Sequence, residues 1–307
     1  MPRKVILVAD PGIDTAFAIA VALFDPELDV VGLAATPGNV DADQATRNVQ
    51  ILVEQLDPPR FPRLGAAPNV EYEVDGTNLH GSGGLGNGKF PCARLHHQHA
   101  SDKLIADLVR QYPKEITIIV MGPCTVLATA LDRDPELPTL VQQFIVVGGA
   151  WHEPGNATAA AEFHFFCDPL SARQVLHSGT PTVLVPLDVT RKLLFSPSDL
   201  LELPAPESRV CKFLSQIVAH GIRASSNIYG IEGFHLMDVL GLMPLVAHDA
   251  LAYRPMQVDV EVKGEITRGM SVFDTRPDRK KEPNIELVID FETPPVREYI
   301  HRVLAET

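Results

Sequence analysis

Val5-Ile6-Leu7-Val8-Ala9-Asp10-Pro11-Gly12-Ile13-Asp14-Thr15-Ala16-Phe17-Ala18-Ile19 is the stretch whose reading decides the fold. Its five consecutive apolar residues, two of them valine, predict a strand buried on both faces within a parallel sheet. The Asp-Pro-Gly turn then launches an alanine-rich helix over residues 14–24, which Asp25-Pro26 ends. Open α/β sheets bind ligands beyond the carboxyl ends of their strands, so Asp10 and Asp14 are candidates for facing a crevice there. The residues alone leave a second reading open, with Asp14 as the helix N-cap and Asp10 as an ordinary turn residue.

Outward from this unit the pattern repeats. Residues 29–36 (DVVGLAAT) predict a second buried strand, closed by Pro37-Gly38-Asn39 and followed by a helix over residues 41–56. A β-turn-α order of this kind predicts parallel strands joined by right-handed crossovers, which puts Asn39 on the same sheet edge as Asp10 and Asp14. Further buried strands are expected over residues 116–121, 143–147 and 182–187. They end at Gly122-Pro123-Cys124-Thr125, at Gly148-Gly149 and at Asp188-Val189-Thr190, and a short helix follows Thr125 to about Asp132. Glycine at a strand end lets backbone come close to a ligand. Residues 257–266 and 285–289 read as extended strands of a small peripheral sheet. The fold class expected is α/β, an open and mostly parallel sheet flanked by helices, in one domain spanning residues 1–307.

Composition narrows the function. A formal charge of -13 argues against nucleic acid as a partner, because neutralising phosphates needs a basic face. No apolar run approaches the roughly 18 residues of a membrane span, and Met1-Pro2-Arg3-Lys4 leads into the first strand without a signal-peptide core, so a cytoplasmic protein is expected. Cys92, Cys124, Cys167 and Cys211 are widely spaced, which suits buried free thiols rather than a zinc knuckle or a redox pair.

Residues 57–99 carry few periodic apolar segments, and so long a loop suits a flap over a site. Within it, His80-Gly81-Ser82-Gly83-Gly84-Leu85-Gly86 contains a literal G-x-G-x-x-G, but it lacks the preceding strand and following helix that a dinucleotide fingerprint needs. His96, His97 and His99 crowd a polar loop without ligand spacing and read as solvated. Read without other information, His248-Asp249 is a polar patch in an apolar helical pattern.

Taken together, these turns resemble the inosine-uridine nucleoside hydrolase family, which hydrolyses the N-glycosidic bond of ribonucleosides. The resemblance rests on Asp10-Pro11-Gly12-Ile13-Asp14, Gly38-Asn39, His80-Gly81 with Leu85-Gly86, Gly122-Pro123-x-Thr125, and Gly148-Gly149-Ala150. It continues through Gly155-Asn156, Ala161-Glu162-Phe163, Asp168-Pro169, Leu187-Asp188-Val189-Thr190 and His248-Asp249. It implies a Ca²⁺ ion held by Asp10, the carbonyl of Thr125, Asp249 and the residue at Thr15. It also implies a ribonucleoside held by Asp14, Asn39, His80, Asn156, Glu162 and His164, and a dimer or tetramer of identical chains.

Four positions depart from the family pattern. Val8 and Thr15 stand where D-x-D-P-G-x-D-D has its first and last carboxylates, and His164 and Val126 stand where the family has asparagine. Calcium affinity falls with the number of charged ligands, so the hydroxyl of Thr15 weakens the implied metal site.

The chemistry follows from the bond. Cleaving a ribosyl C1′–N bond passes through a cationic, oxocarbenium-like sugar, so the site must activate water, tolerate positive charge and protonate the departing base. The resemblance assigns metal-bound water and Asp10 to the first task and His248 to the last. The alternatives are a member that binds a ribosyl ligand without cutting it, because Thr15 has emptied the metal site, and a phosphosugar or dinucleotide enzyme, which the missing phosphate loop disfavours.

Overall fold

The computed structural model describes residues 2–93, 98–278 and 281–307. Strand β1 (Arg3–Ala9) lies between β2 (Leu28–Ala35) and β5 (Ile116–Met121), parallel to both. On the far side of β2 come β3 (Arg63–Ala66) and β4 (His99–Ala100); on the far side of β5 come β6 (Gln143–Val147) and β7 (Thr182–Val185). The chain therefore runs from β1 outward in one direction and then restarts at β5 in the other. That reversal places the switch point, where such sheets open a crevice, between β1 and β5.

The near-continuous apolar runs are explained by burial on both faces. Val5 to Ala9 and Ile116 to Met121 are fully buried. Helix α1 (Ile13–Phe24) is buried from Ile13 to Leu23, which accounts for its lack of a polar stripe. Helix α2 (Ala42–Leu56) is amphipathic and is capped by Asp41, whose side chain accepts the Gln44 N–H at 2.8 Å. The helices Arg209–Tyr229 and Thr293–Ala305 both pack against α1.

At the other edge the strands turn antiparallel. β10 (Leu251–Val260) pairs with β11 (Ser271–Asp274) and with β12 (Ile285–Phe291), and β12 runs parallel to β7, so this C-terminal group is joined to the main sheet. A separate two-stranded sheet forms from β8 (Leu194–Phe195) and β9 (Phe234–His235). The expected strands thus appear, but β10 covers Leu251–Val260 rather than residues 257–266, the chain turning after Val260 to reach β11. β3 and β4 fall inside the stretch read as one long loop. Among the described residues no helix is long and apolar enough to cross a membrane.

Candidate active site

Asp10 follows the last residue of β1, and Ala9 is in register with Ala35 of β2 and Met121 of β5. The carboxyl ends of three strands meet there, and Asp10 is fully buried. Asn39 holds it twice: its N–H donates to Asp10 Oδ2 at 3.1 Å and its Nδ2 donates to the Asp10 carbonyl at 2.9 Å. The turn carrying Asn39 must run against the carboxylate, and a Cβ at Gly38 would overlap Asp10 Oδ2. Gly38→Ala is therefore expected to cost about 1–3 kcal/mol, as overpacking does, measured as a lower urea midpoint at unchanged m.

Helix α1 starts without a side-chain cap, with Gly12 in the cap position, so Asp14 is not the N-cap. The first orphan donor is met from elsewhere, because the Ile13 N–H donates to His80 Nδ1 at 3.0 Å. That bond places the His80 proton on Nε2. Burial, helped by the charges of His164 and His220, pushes the His80 pKa down to about 3, so its ring is neutral near pH 7. The glycines beyond His80 form a latch, in which Asn48 Nδ2 donates to the carbonyls of Pro11 at 3.1 Å and Gly83 at 2.8 Å. The Gly84 and Gly86 N–H groups are spent within the loop, on the carbonyls of Gly81 at 2.9 Å and His80 at 2.7 Å.

Glu162 caps the short helix Phe163–Cys167. Its carboxylate accepts the N–H groups of His164 (2.9 Å), Phe165 (3.1 Å) and Gly149 (3.0 Å), which ties the helix to the end of β6. His164 then reaches inward. Its Nδ1 lies 3.1 Å from the Val147 carbonyl and 3.7 Å from Glu162 Oε1, and its Nε2 lies 3.7 Å from Asp10 Oδ2. Burial alone would depress this imidazole, but the carboxylates of Glu162, Asp10 and Asp238 outweigh it and raise the pKa to about 9.

Asp238 comes from the 3-10 turn Met237–Gly241 packed on α1, and its side chain is buried. Burial lifts the pKa values of Asp10, Asp14 and Asp238, and His164 pulls all three back. The Thr15 hydroxyl lies close enough to Asp238 to favour its ionised form, but it completes no hydrogen bond of good geometry. Three buried atoms thus lack hydrogen-bond partners in this region: Asp10 Oδ1, Thr15 Oγ1 and Asp238 Oδ1. Above them opens a cleft of about 280 Å³, lined by Asp14, Asn39, His80, Glu162, His164 and Asp238, with Asp75, Asn156 and Tyr229 toward its exposed rim.

Of the residues singled out in the sequence, Asp10, Asp14, Thr15, Asn39, His80, Glu162 and His164 gather at this strand end. Asn156 is exposed at the rim, its Oδ1 accepting the Phe163 N–H at 2.7 Å, and the loop bearing it hangs from Asp188 through the N–H groups of Trp151, His152 and Glu153. Thr125 is buried behind the site, its hydroxyl shared between Tyr72 at 2.7 Å and Asp168 at 2.6 Å. His248 and Asp249 require correction. They are exposed on the turn before β10, beside β12, with His248 stacked on Tyr253 at 4.6 Å, and neither lines the cleft. The acid that the structure does bring to the cleft from this part of the chain is Asp238, preceded by Met237. A lone acid inside the apolar run Phe234 to Leu240 was its only signal. His99 is exposed at β4, and His96 and His97 lie outside the described residues.

Residues 5–298 match the family model described as inosine-uridine preferring nucleoside hydrolase. The chain belongs to this family. It is 31% identical over 310 residues to the non-specific ribonucleoside hydrolase RihC of Escherichia coli, covering 99% of both chains. It is 33% identical over 271 residues to uridine nucleosidase 1 of Arabidopsis thaliana, covering 85% of this chain and 79% of that one. The solved purine-preferring ribonucleoside hydrolase from Gardnerella vaginalis is similar at a TM-score of 0.91 and 26% identity, with 99% of each chain covered. This nucleoside hydrolase is therefore a glycosidase by family, and relatives named as enzymes favour hydrolysis over silent binding.

Nucleoside hydrolases generally depend on a metal, as a rule calcium, and the oxygen donors at this strand end are the ones that would hold it. They fit poorly. Calcium takes six to eight oxygens. Here the buried, unpartnered oxygens are those of Asp10, Asp238 and the Thr15 hydroxyl, one carboxylate fewer than the resemblance implies. Among the described residues, no group of three or more acidic, histidine or cysteine side chains is placed to hold a metal ion.

Proposed function

We propose that this nucleoside hydrolase cleaves the C1′–N bond of ribonucleosides, purine or pyrimidine, to free base and ribose, with Asp10 as general base. The observation that carries this reading is the set of buried, unpartnered oxygens of Asp10, Thr15 and Asp238 beneath an open cleft. Unmet acceptors in a low-dielectric site call for donors, and a water together with a polyhydroxylated ring supplies them.

Asp10 takes the proton of the attacking water. Its Asn39 bonds fix Oδ2 and leave Oδ1 free, and its burial makes the carboxylate a stronger base than one in water. Asp14, Asn39, His80 and Glu162 orient the ribose from around the cleft, with Asn156 closing over it from the rim. The carboxylates of Asp10, Asp14, Glu162 and Asp238 outnumber the one imidazole, His164, that sits among them, and their oxygens stabilise the cationic ribosyl group as the bond breaks. The departing base takes its proton at the rim, where Tyr229 and solvent are at hand.

The test is a panel of purine and pyrimidine ribonucleosides, scored for reducing sugar and for free base by chromatography. Equal amounts of ribose and base are expected from at least one of them. Release of neither from any member, with calorimetric binding retained, supports instead a member that holds a ribosyl ligand without cutting it.

A further inference from the structure

We propose that Arg191 is a positioning residue for Asn156, its guanidinium holding the loop 153–155 so that Asn156 stands over the cleft. The inference rests on reading the cleft as the ribosyl site, with Asn156 closing over the sugar.

The argument begins with one turn of helix. After β7 the chain passes through Leu187–Thr190, and the Leu187 N–H donates to the Gly149 carbonyl, just past the end of β6, at 2.9 Å. Leu187 and Thr190 border the cleft. The same turn grips the rim loop at two places. Asp188 accepts the N–H groups of Trp151, His152 and Glu153, and Arg191, one residue past the turn, takes hold of Glu153, Pro154 and Gly155. Its Nη1 donates to Glu153 Oε2 and to the Pro154 carbonyl, both at 3.1 Å, and its Nη2 donates to the Gly155 carbonyl at 3.3 Å.

A forked cation suits such a set. All three partners are acceptors, and a guanidinium meets them from a rigid plane of N–H groups where an ammonium has a single nitrogen to offer. The last of the three bonds matters most. The Gly155 carbonyl and the Asn156 N–H belong to one planar peptide unit. Arg191 holds that unit by its oxygen, while its N–H donates to the Ala161 carbonyl at 3.2 Å. The turn has no slack, since a Cβ at Gly155 would overlap the carbonyls of Ala161 and Thr158. Fixing the Gly155 carbonyl therefore fixes the backbone from which the Asn156 side chain projects.

Asn156 borders two spaces, the cleft and a neighbouring opening of about 450 Å³. Arg191 and Gly155 line the second of these and not the first. Arg191 thus acts on a sugar in the cleft through Asn156 and not by touching it.

The experiment compares full-length wild type with Arg191→Met, Asn156→Ala and the double variant on the best nucleoside. Arg191→Met is expected to raise KM about tenfold while kcat stays within about twofold, the pattern of lost substrate holding. In the Asn156→Ala background the same substitution is expected to change KM by less than about twofold, because residues that act as a unit are not additive. A further tenfold rise in that background overturns the inference. Arg191→Lys keeps the charge and loses the fork, and it is expected to resemble Arg191→Met. Recovery by lysine to the wild-type KM shows that charge alone suffices and overturns it too. Arg191 is half-buried and Glu153 exposed, so their pair contributes little to stability and the variants are expected to fold. Amide hydrogen exchange supplies a readout independent of turnover. It is expected to quicken over residues 153–158 in Arg191→Met and to stay as slow as wild type in β1 and β5. Unchanged exchange over 153–158 overturns the inference. If the wild type cleaves no nucleoside, calorimetric affinity replaces KM in the same cycle, and the lack of cleavage counts against the functional reading alone.

Discussion

Asp10→Asn is expected to lower kcat on the best nucleoside by about 10²–10⁴-fold while changing KM only slightly, the signature of a group that acts on the proton in the transition state. The substitution is close to isosteric, and the amide oxygen can still accept the Asn39 N–H that Oδ2 now receives at 3.1 Å. What disappears is the basic Oδ1, buried and free of partners. On the proposed reading the ribose is held by Asp14, Asn39, His80 and Glu162, so binding is expected to survive and turnover is not. Steady-state kinetics with calorimetric binding separate the two effects. Turnover that persists in Asp10→Asn places the base elsewhere and ends the mechanism.

Asp238→Asn is expected to cost at least about 10²-fold in kcat/KM, whereas His248→Ala and Asp249→Ala stay within about twofold of wild type. Asp238 is buried at the cleft beside Thr15, and losing its charge leaves His164 with one fewer counter-ion. His248 and Asp249 are exposed at the far side of β12. The reverse ranking in the three variants would restore the pair named from sequence and show that the turn bearing it moves into the cleft during turnover.

The first βα unit, the strand ends and the succession of parallel strands along the chain were legible because each is a local pattern: an apolar run, a glycine or proline turn, an amphipathic or buried helix. β3 and β4 were not, since four residues and two residues carry no readable period. The choice between Asp238 and Asp249 shows a different limit. Asp238 sits within the run Phe234 to Leu240 and Asp249 after the short helix Met243–Val246, and the histidine before Asp249 made that doublet look like chemistry. Only the packing of Met237–Gly241 on α1 tells which one is buried. His164 could be seen in the sequence as a departure from the family, but its approach to Asp10 could not. That contact exists because β1 and β6 flank β5, which brings residues 154 positions apart to one strand edge.

Asn39 has a second attachment. Besides its two bonds to Asp10, its carbonyl accepts the Gly76 N–H at 3.1 Å, and Gly76 belongs to the stretch that borders the cleft with Val74 and Asp75. If that stretch lifts far enough to admit a nucleoside, the bond it breaks is to the residue that aims the base. Loop motions of this kind run on microsecond to millisecond timescales. Admission of a substrate and readiness of the carboxylate would then share one clock, the base being aimed only once the stretch has closed.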